Sequence, residues 1–169
     1  MKNLKTLAAA AICLVAFPAI TFSQIPLKEV VIFATRYKYL DEVGFKGQPE
    51  PVKTLQAKAA TYDIKDSPFY QDDYENYFVS FYLPEGKILA AYDKNGKLLR
   101  TAEKYKNIKL PTAVTTAVAG RFPNWSISND TYLVNFYDSG SKSKRRYKLL
   151  LENGDQRVKI STDENGKFY

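Results

Sequence analysis

Tyr74-Glu75-Asn76-Tyr77-Phe78-Val79-Ser80-Phe81-Tyr82-Leu83 is the stretch that sets the architecture. Tyr77, Val79 and Phe81 alternate with Phe78, Ser80 and Tyr82, the two-residue period of a β-strand built from β-branched and aromatic side chains. Pro84-Glu85-Gly86 turns the chain, and Lys87 to Tyr92 returns as a partner strand. Lys94-Asn95-Gly96 turns it again and Lys97 to Thr101 resumes, because Asn-Gly tolerates the positive φ of a tight hairpin. An antiparallel meander is expected.

Upstream, Val52, Leu55, Ala59 and Tyr62 recur at helical spacing, and Ser67-Pro68 ends that element. Residues 41–51, with Gly44, Gly47, Pro49 and Pro51, read as a loop. Glu29 to Leu40 (EVVIFATRYKYL) is β-branched and aromatic. It reads as a first strand with Val31, Phe33, Thr35, Tyr37 and Tyr39 on one face. Downstream, Glu103 to Lys109 reads as a lysine-rich connector. Leu110-Pro111 then opens a second helix with an Ala113, Val114, Ala117, Val118 stripe, closed by Gly120 and Pro123. Strands are expected at Thr131 to Tyr137, Arg145 to Leu151 and Gln156 to Thr162, with turns at Asn153-Gly154 and Asn165-Gly166.

Two fragments recur in order. Tyr77 to Tyr82 resembles Tyr132 to Tyr137, and Asp93-Lys94-Asn95-Gly96-Lys97 resembles Asp163-Glu164-Asn165-Gly166-Lys167. The offsets of 55 and 70 make the second copy longer by one hairpin. The strand pair ending in Tyr92 to Leu99 leads to Ile108-Lys109-Leu110-Pro111 and a helix that ends in Arg121-Phe122-Pro123-Asn124-Trp125. Over residues 50–169 this set resembles the PepSY-like, β-lactamase-inhibitor-like family of exported bacterial proteins. The resemblance implies an α+β fold: antiparallel sheet with short helices on one face, in tandem PepSY-like/BLIP-like units. It also implies a binding or inhibitory role without catalytic residues. The inhibitor that names the family is held by disulfides, which this chain cannot form once its leader is removed. The division expected is 1–23 signal peptide, 24–109 N-terminal strand plus first unit, and 110–169 second unit.

The leader reading rests on Lys2 and Lys5 before an uncharged run from Leu7 to Phe22, with Thr21-Phe22-Ser23 supplying a signal-peptidase site. Cleavage falls between Ser23 and Gln24. The apolar run of roughly 16 residues, broken by Pro18, is short of the ~20 that span a bilayer. The expected destination is the periplasm or the exterior, with no transmembrane segment after cleavage. The only cysteine, Cys13, leaves with the leader, and histidine is absent. Packing and hydrogen bonding must therefore hold the fold, for which 13 Tyr and 10 Phe supply large buried areas. Charge is polarised. Residues 24–85 carry 7 bases and 10 acids, whereas residues 86–169 carry 16 and 8.

Lack of His throughout, and of Cys once the leader is removed, excludes triads built on either, and ordinary zinc sites. Neither GxGxxG nor GxxxxGK[ST] occurs. A nicotinate-nucleotide adenylyltransferase activity, whose His-containing motif stabilises phosphate charge, has no residue here to supply it. No cofactor, metal or nucleic acid is expected. Asp63, Asp66, Asp72, Asp73 and Glu75 leave room for a carboxylate-only enzyme, or form a solvated acidic loop. Asp93 and Asp163 read as turn aspartates rather than calcium ligands. Two groups are candidates for binding. Tyr74, Phe78 and Tyr82 share a strand face, exposed for a partner or covered in a sheet buried on both sides. Arg146, Lys148, Arg157 and Lys159 form a basic stripe for an acidic protein or envelope polymer, or the wet face of a half-buried sheet.

Overall fold

The computed structural model describes residues 28–169 apart from Ser141, with side chains from residue 34. The leader and its Ser23–Gln24 junction lie outside the described residues.

The fold is α+β: one six-stranded antiparallel sheet in sequential order with three helices packed on it. Helix α1 (Lys28–Glu42) stops at Gly44, whose φ of 70° suits a residue without Cβ, and a 3-10 turn (Phe45–Gly47) leads to α2 (Glu50–Thr61). Prolines sit at the start of α2, where a missing N–H costs least. Val52, Leu55, Gln56, Ala59 and Ala60 form its buried stripe at helical spacing. The strands β1 (Asn76–Leu83), β2 (Gly86–Asp93) and β3 (Leu98–Lys106) follow as a meander. Then α3 (Thr112–Arg121) precedes β4 (Ser126–Tyr137), β5 (Lys144–Asn153) and β6 (Gln156–Thr162).

Alternation along each strand divides the sheet into a core face and a bare face. Phe81, Ile88, Glu103, Val134, Tyr132, Tyr147, Leu149 and Leu151 point to the core, where the buried residues of all three helices join them in one cluster. Tyr132 stacks on Tyr147 with ring centroids 4.5 Å apart, and Tyr39 meets Phe136 edge-on at 5.1 Å. Offset and edge-on geometries of this kind add to the burial of the rings.

Three expectations change. First, residues 29–40 are helical rather than a strand. The four-residue step from Thr35 to Tyr39 fits both periods, and Tyr37 decides between them: it is 73% exposed while Thr35 and Tyr39 are 6% and 0%. A strand would put all three on one face. Second, Glu103 to Lys106 continues β3 instead of forming a connector, with Glu103 and Tyr105 buried and Lys104 and Lys106 exposed. Third, the sheet is a single unit. β3 and β4 pair from Arg100–Tyr137 to Lys106–Thr131, so the two recurring fragments lie in one continuous sheet over one core rather than in tandem units.

The two Asp-x-Asn-Gly-Lys segments have the same local physics. Asp93 Oδ1 accepts the backbone N–H groups of Asn95 (2.8 Å) and Lys97 (2.9 Å), and Asp163 Oδ1 accepts those of Asn165 and Lys167 (both 2.9 Å). These are aspartate turns with Gly96 and Gly166 at φ of 85° and 82°.

Candidate binding face

Among the described residues no helix covers the second face of the sheet. β1 contributes Phe78 and Tyr82, 60% and 66% exposed; β2 adds Leu89 at 46% and β4 adds Tyr137 at 41%. Strand register brings them together. Phe78 lies opposite Ala91 and Tyr82 opposite Lys87, while Leu89 sits between Ser80 and Ala102. The Arg100 guanidinium lies 5.5 Å from the Phe78 ring centroid, and Phe78, Leu89, Arg100 and Tyr137 line a small hollow of about 230 Å³. Large apolar side chains held out by a rigid sheet form a contact surface at little entropic cost, since the strand has already fixed their backbone.

Tyr74 is also exposed, but it precedes β1. Its ring meets Tyr77 edge-on at 6.1 Å, in a loop cluster with Tyr70, which stacks on Tyr77 at 5.4 Å. Phe78 and Tyr82 therefore make a pair on the bare face, and Tyr74 belongs to the segment beside it.

At the other end of the sheet, Arg146, Lys148 and Lys159 line a cleft of about 810 Å³ together with Lys106 and Arg121. Arg157 is not among its walls; its Nε lies 3.0 Å from Glu152 Oε1. Sequence reading missed Lys106, because β3 was read as ending early, and Arg121, because it arrives from α3. Two guanidinium groups lie over aromatic rings, Arg146 over Tyr169 at 4.3 Å and Arg121 over Phe168 at 4.7 Å. Stacking occupies a flat face and leaves the N–H edge for an anion. Among the described residues none of the five bases forms an ion pair. Asp130 is the one acid in the wall; burial raises its carboxyl above the ordinary range, against the pull of the Ile108 N–H it accepts at 3.3 Å.

The acidic segment does not converge on a centre. Asp63 Oδ1 accepts the Lys65 backbone N–H at 2.9 Å, Glu75 pairs with Lys94 at 2.8 Å, and Asp66, Asp72 and Asp73 are exposed along the α2–β1 loop. Among the described residues no group of three or more acidic, His or Cys side chains could hold a metal ion.

The most unusual polar group is buried. Glu103 lies under α1 and α2, and its carboxylate receives four hydrogen bonds: from Tyr39 Oη and Thr101 Oγ1 on one oxygen (both 2.8 Å), and from Gln56 Nε2 and Tyr105 Oη on the other (both 2.9 Å). Burial pushes its pKa up, opposed by these four donors. The alternation Thr101, Glu103, Tyr105 against Arg100, Ala102, Lys104 was the sequence signal for it. The site is closed to ligands, and its work is to tie both helices to the middle of the sheet.

No family model matches the chain, and no curated protein matches it in sequence. Among solved structures the chain is similar to a DUF2874 family protein from Bacteroides uniformis, with 12% identity and a TM-score of 0.35 over 56% of this chain and 67% of that one. It is similar to a protein from Bacteroides eggerthii described as a "putative periplasmic" protein, with 12% identity and a TM-score of 0.35 over 72% and 85%. It is also similar to a BLIP-like protein from Bacteroides fragilis, with 18% identity and a TM-score of 0.34 over 73% and 86%.

Proposed function

We propose that the protein is an exported, non-catalytic binding module that docks a partner protein on the bare face of its sheet, in the manner of an inhibitor. The observation that carries this reading is the uncovered patch of Phe78, Tyr82, Leu89 and Tyr137 on a face flanked by Arg100 and the basic cleft. Aromatic and arginine side chains are the residue types that dominate binding energy at interfaces. The basic end would favour a partner with an acidic surface and speed its approach. Export is inferred from the leader, and the PepSY-like motifs at Tyr92 to Leu99 and Arg121 to Trp125 agree with a binding role. The reading is tested by affinity capture from cell-envelope extract with the protein and its Phe78→Ala/Tyr82→Ala variant. A protein retained by the first and lost with the second supports it. Identical captured sets, or turnover of a substrate by the purified protein, would end it.

A second reading is favoured by the cleft itself. Five bases without carboxylate partners suit an envelope polyanion, and retention on a sulfated resin would then fall to lower salt in an Arg146→Ala/Lys148→Ala variant. Unchanged retention would dismiss it.

A further inference from the structure

The two edges of the sheet differ. The β6 edge is protected: Phe168 bridges to Thr162, the Tyr169 N–H bonds the Ser161 carbonyl at 3.0 Å, and the rest of the strand carries Arg157 and Lys159. Charge and capping are the usual means of preventing edge-to-edge pairing. β1 has neither. Its eight residues, Asn76 to Leu83, contain no charge and no proline, and they pair with β2 in unbroken register from Asn76–Asp93 to Leu83–Gly86. An uncharged, unbulged edge strand of this length is a template for another strand.

We propose that β1 pairs antiparallel with β1 of a second copy of this chain, with Ser80 opposite Ser80 on the two-fold axis. Directly opposed residues must share a face, which requires residue numbers of the same parity. The register centred on Ser80 places Phe78 against Tyr82 twice on the bare face and Val79 against Phe81 twice on the core face. Aromatic and β-branched cross-strand pairs are the favourable ones. Charge supports the antiparallel sense. The acidic loop that leads into β1 carries Asp72, Asp73 and Glu75, and the antiparallel sense sets the two loops at opposite ends of the paired strands. A parallel arrangement would set the acidic loops side by side. Because the β6 edge is closed, growth stops at two copies, giving a continuous twelve-stranded sheet whose bare face remains open.

Molar mass by light scattering and sedimentation over a dilution series tests the pairing. The protein is expected to give two copies at high concentration, with no larger species. Ser80→Lys sets like charges on the axis and should give one copy, while Ala102→Lys, on the same face but two strands in, should keep two. Far-UV circular dichroism and melting must match in both variants. The register is read by Phe78→Lys/Tyr82→Lys, expected to give one copy, against Phe78→Lys/Tyr82→Glu, expected to restore two. A single copy at every concentration, a dimer indifferent to Ser80→Lys, or failure of the Lys/Glu variant to pair would overturn the proposal.

Discussion

The hydroxyl of Tyr39 on α1 donates to Oε1 of Glu103 on β3 at 2.8 Å, joining positions 64 residues apart inside the core. It is one of four donors on a carboxylate without a cationic partner in those bonds. Burial makes charge costly there and the donors recover part of that cost. Both helices that touch β1 to β3 are thereby locked in rotation: α1 through Tyr39 and α2 through Gln56.

That arrangement has a sign in pH. The folded pKa of Glu103 is raised above its ordinary 4.5, so the folded state binds the proton more tightly than the unfolded chain. Its contribution to stability is intact in acid and falls as pH rises from about 4.5 through the elevated folded value. Glu103→Gln does not titrate. Urea unfolding from pH 4 to pH 8 should therefore show the variant gaining on the wild type as pH increases. Tyr39→Phe should cost about 1 kcal/mol, and Glu103→Ala, which strands four donors, at least about 3 kcal/mol in the same assay.

Asp138 behaves oppositely. Burial would raise its pKa, but Lys97 and Lys38 together outweigh that and hold the carboxyl below its ordinary 3.8. This contribution is present above pH 3.8 and is lost as pH falls through the lower folded value. Lys38 is on α1 and Lys97 follows the β2–β3 turn, so Asp138 fastens both to the end of β4. Asp138→Asn should cost about 1 kcal/mol at neutral pH, the lysines being partly solvated, and next to nothing well below pH 3. Chemical denaturation at the two pH values checks this.

Gly166 is where the last turn meets α3. A Cβ there would fall 2.6 Å from the Ala113 carbonyl oxygen and 2.7 Å from Ala117 Cβ, at a φ of 82°. Gly154 also has positive φ, at 55°, but nothing within 4 Å. Gly154→Ala should cost about 1 kcal/mol for backbone strain alone, and Gly166→Ala a further 1–3 kcal/mol as the helix is forced away. Thermal melts of the pair separate the two causes.

Much of the sheet was legible because alternation and turn chemistry agree. β6 falls on the expected residues 156–162, and both aspartate turns lie where Asn-Gly announced them. Helix α1 was misread because its β-branched and aromatic composition suggests a strand while tertiary packing chose a helix, and a step of four residues is common to both periods. The end of β3 was lost for a different reason. Glu103 looks like a surface charge in sequence, and only four donors from three elements make its burial tolerable. Phe78 and Tyr82 could be assigned to one face from spacing. Whether that face was bare depended on where three helices pack, which strand periodicity does not encode.

The central claim is that the bare face makes the contacts. Titration calorimetry of the captured partner against the protein, Phe78→Ala/Tyr82→Ala, and Lys58→Ala on the helix layer tests it most directly. Two exposed aromatic anchors lost together should weaken binding about a hundredfold, with melting unchanged and Lys58→Ala indistinguishable from wild type. Equal affinity for the wild type and the aromatic variant, or a loss confined to Lys58→Ala, would contradict it.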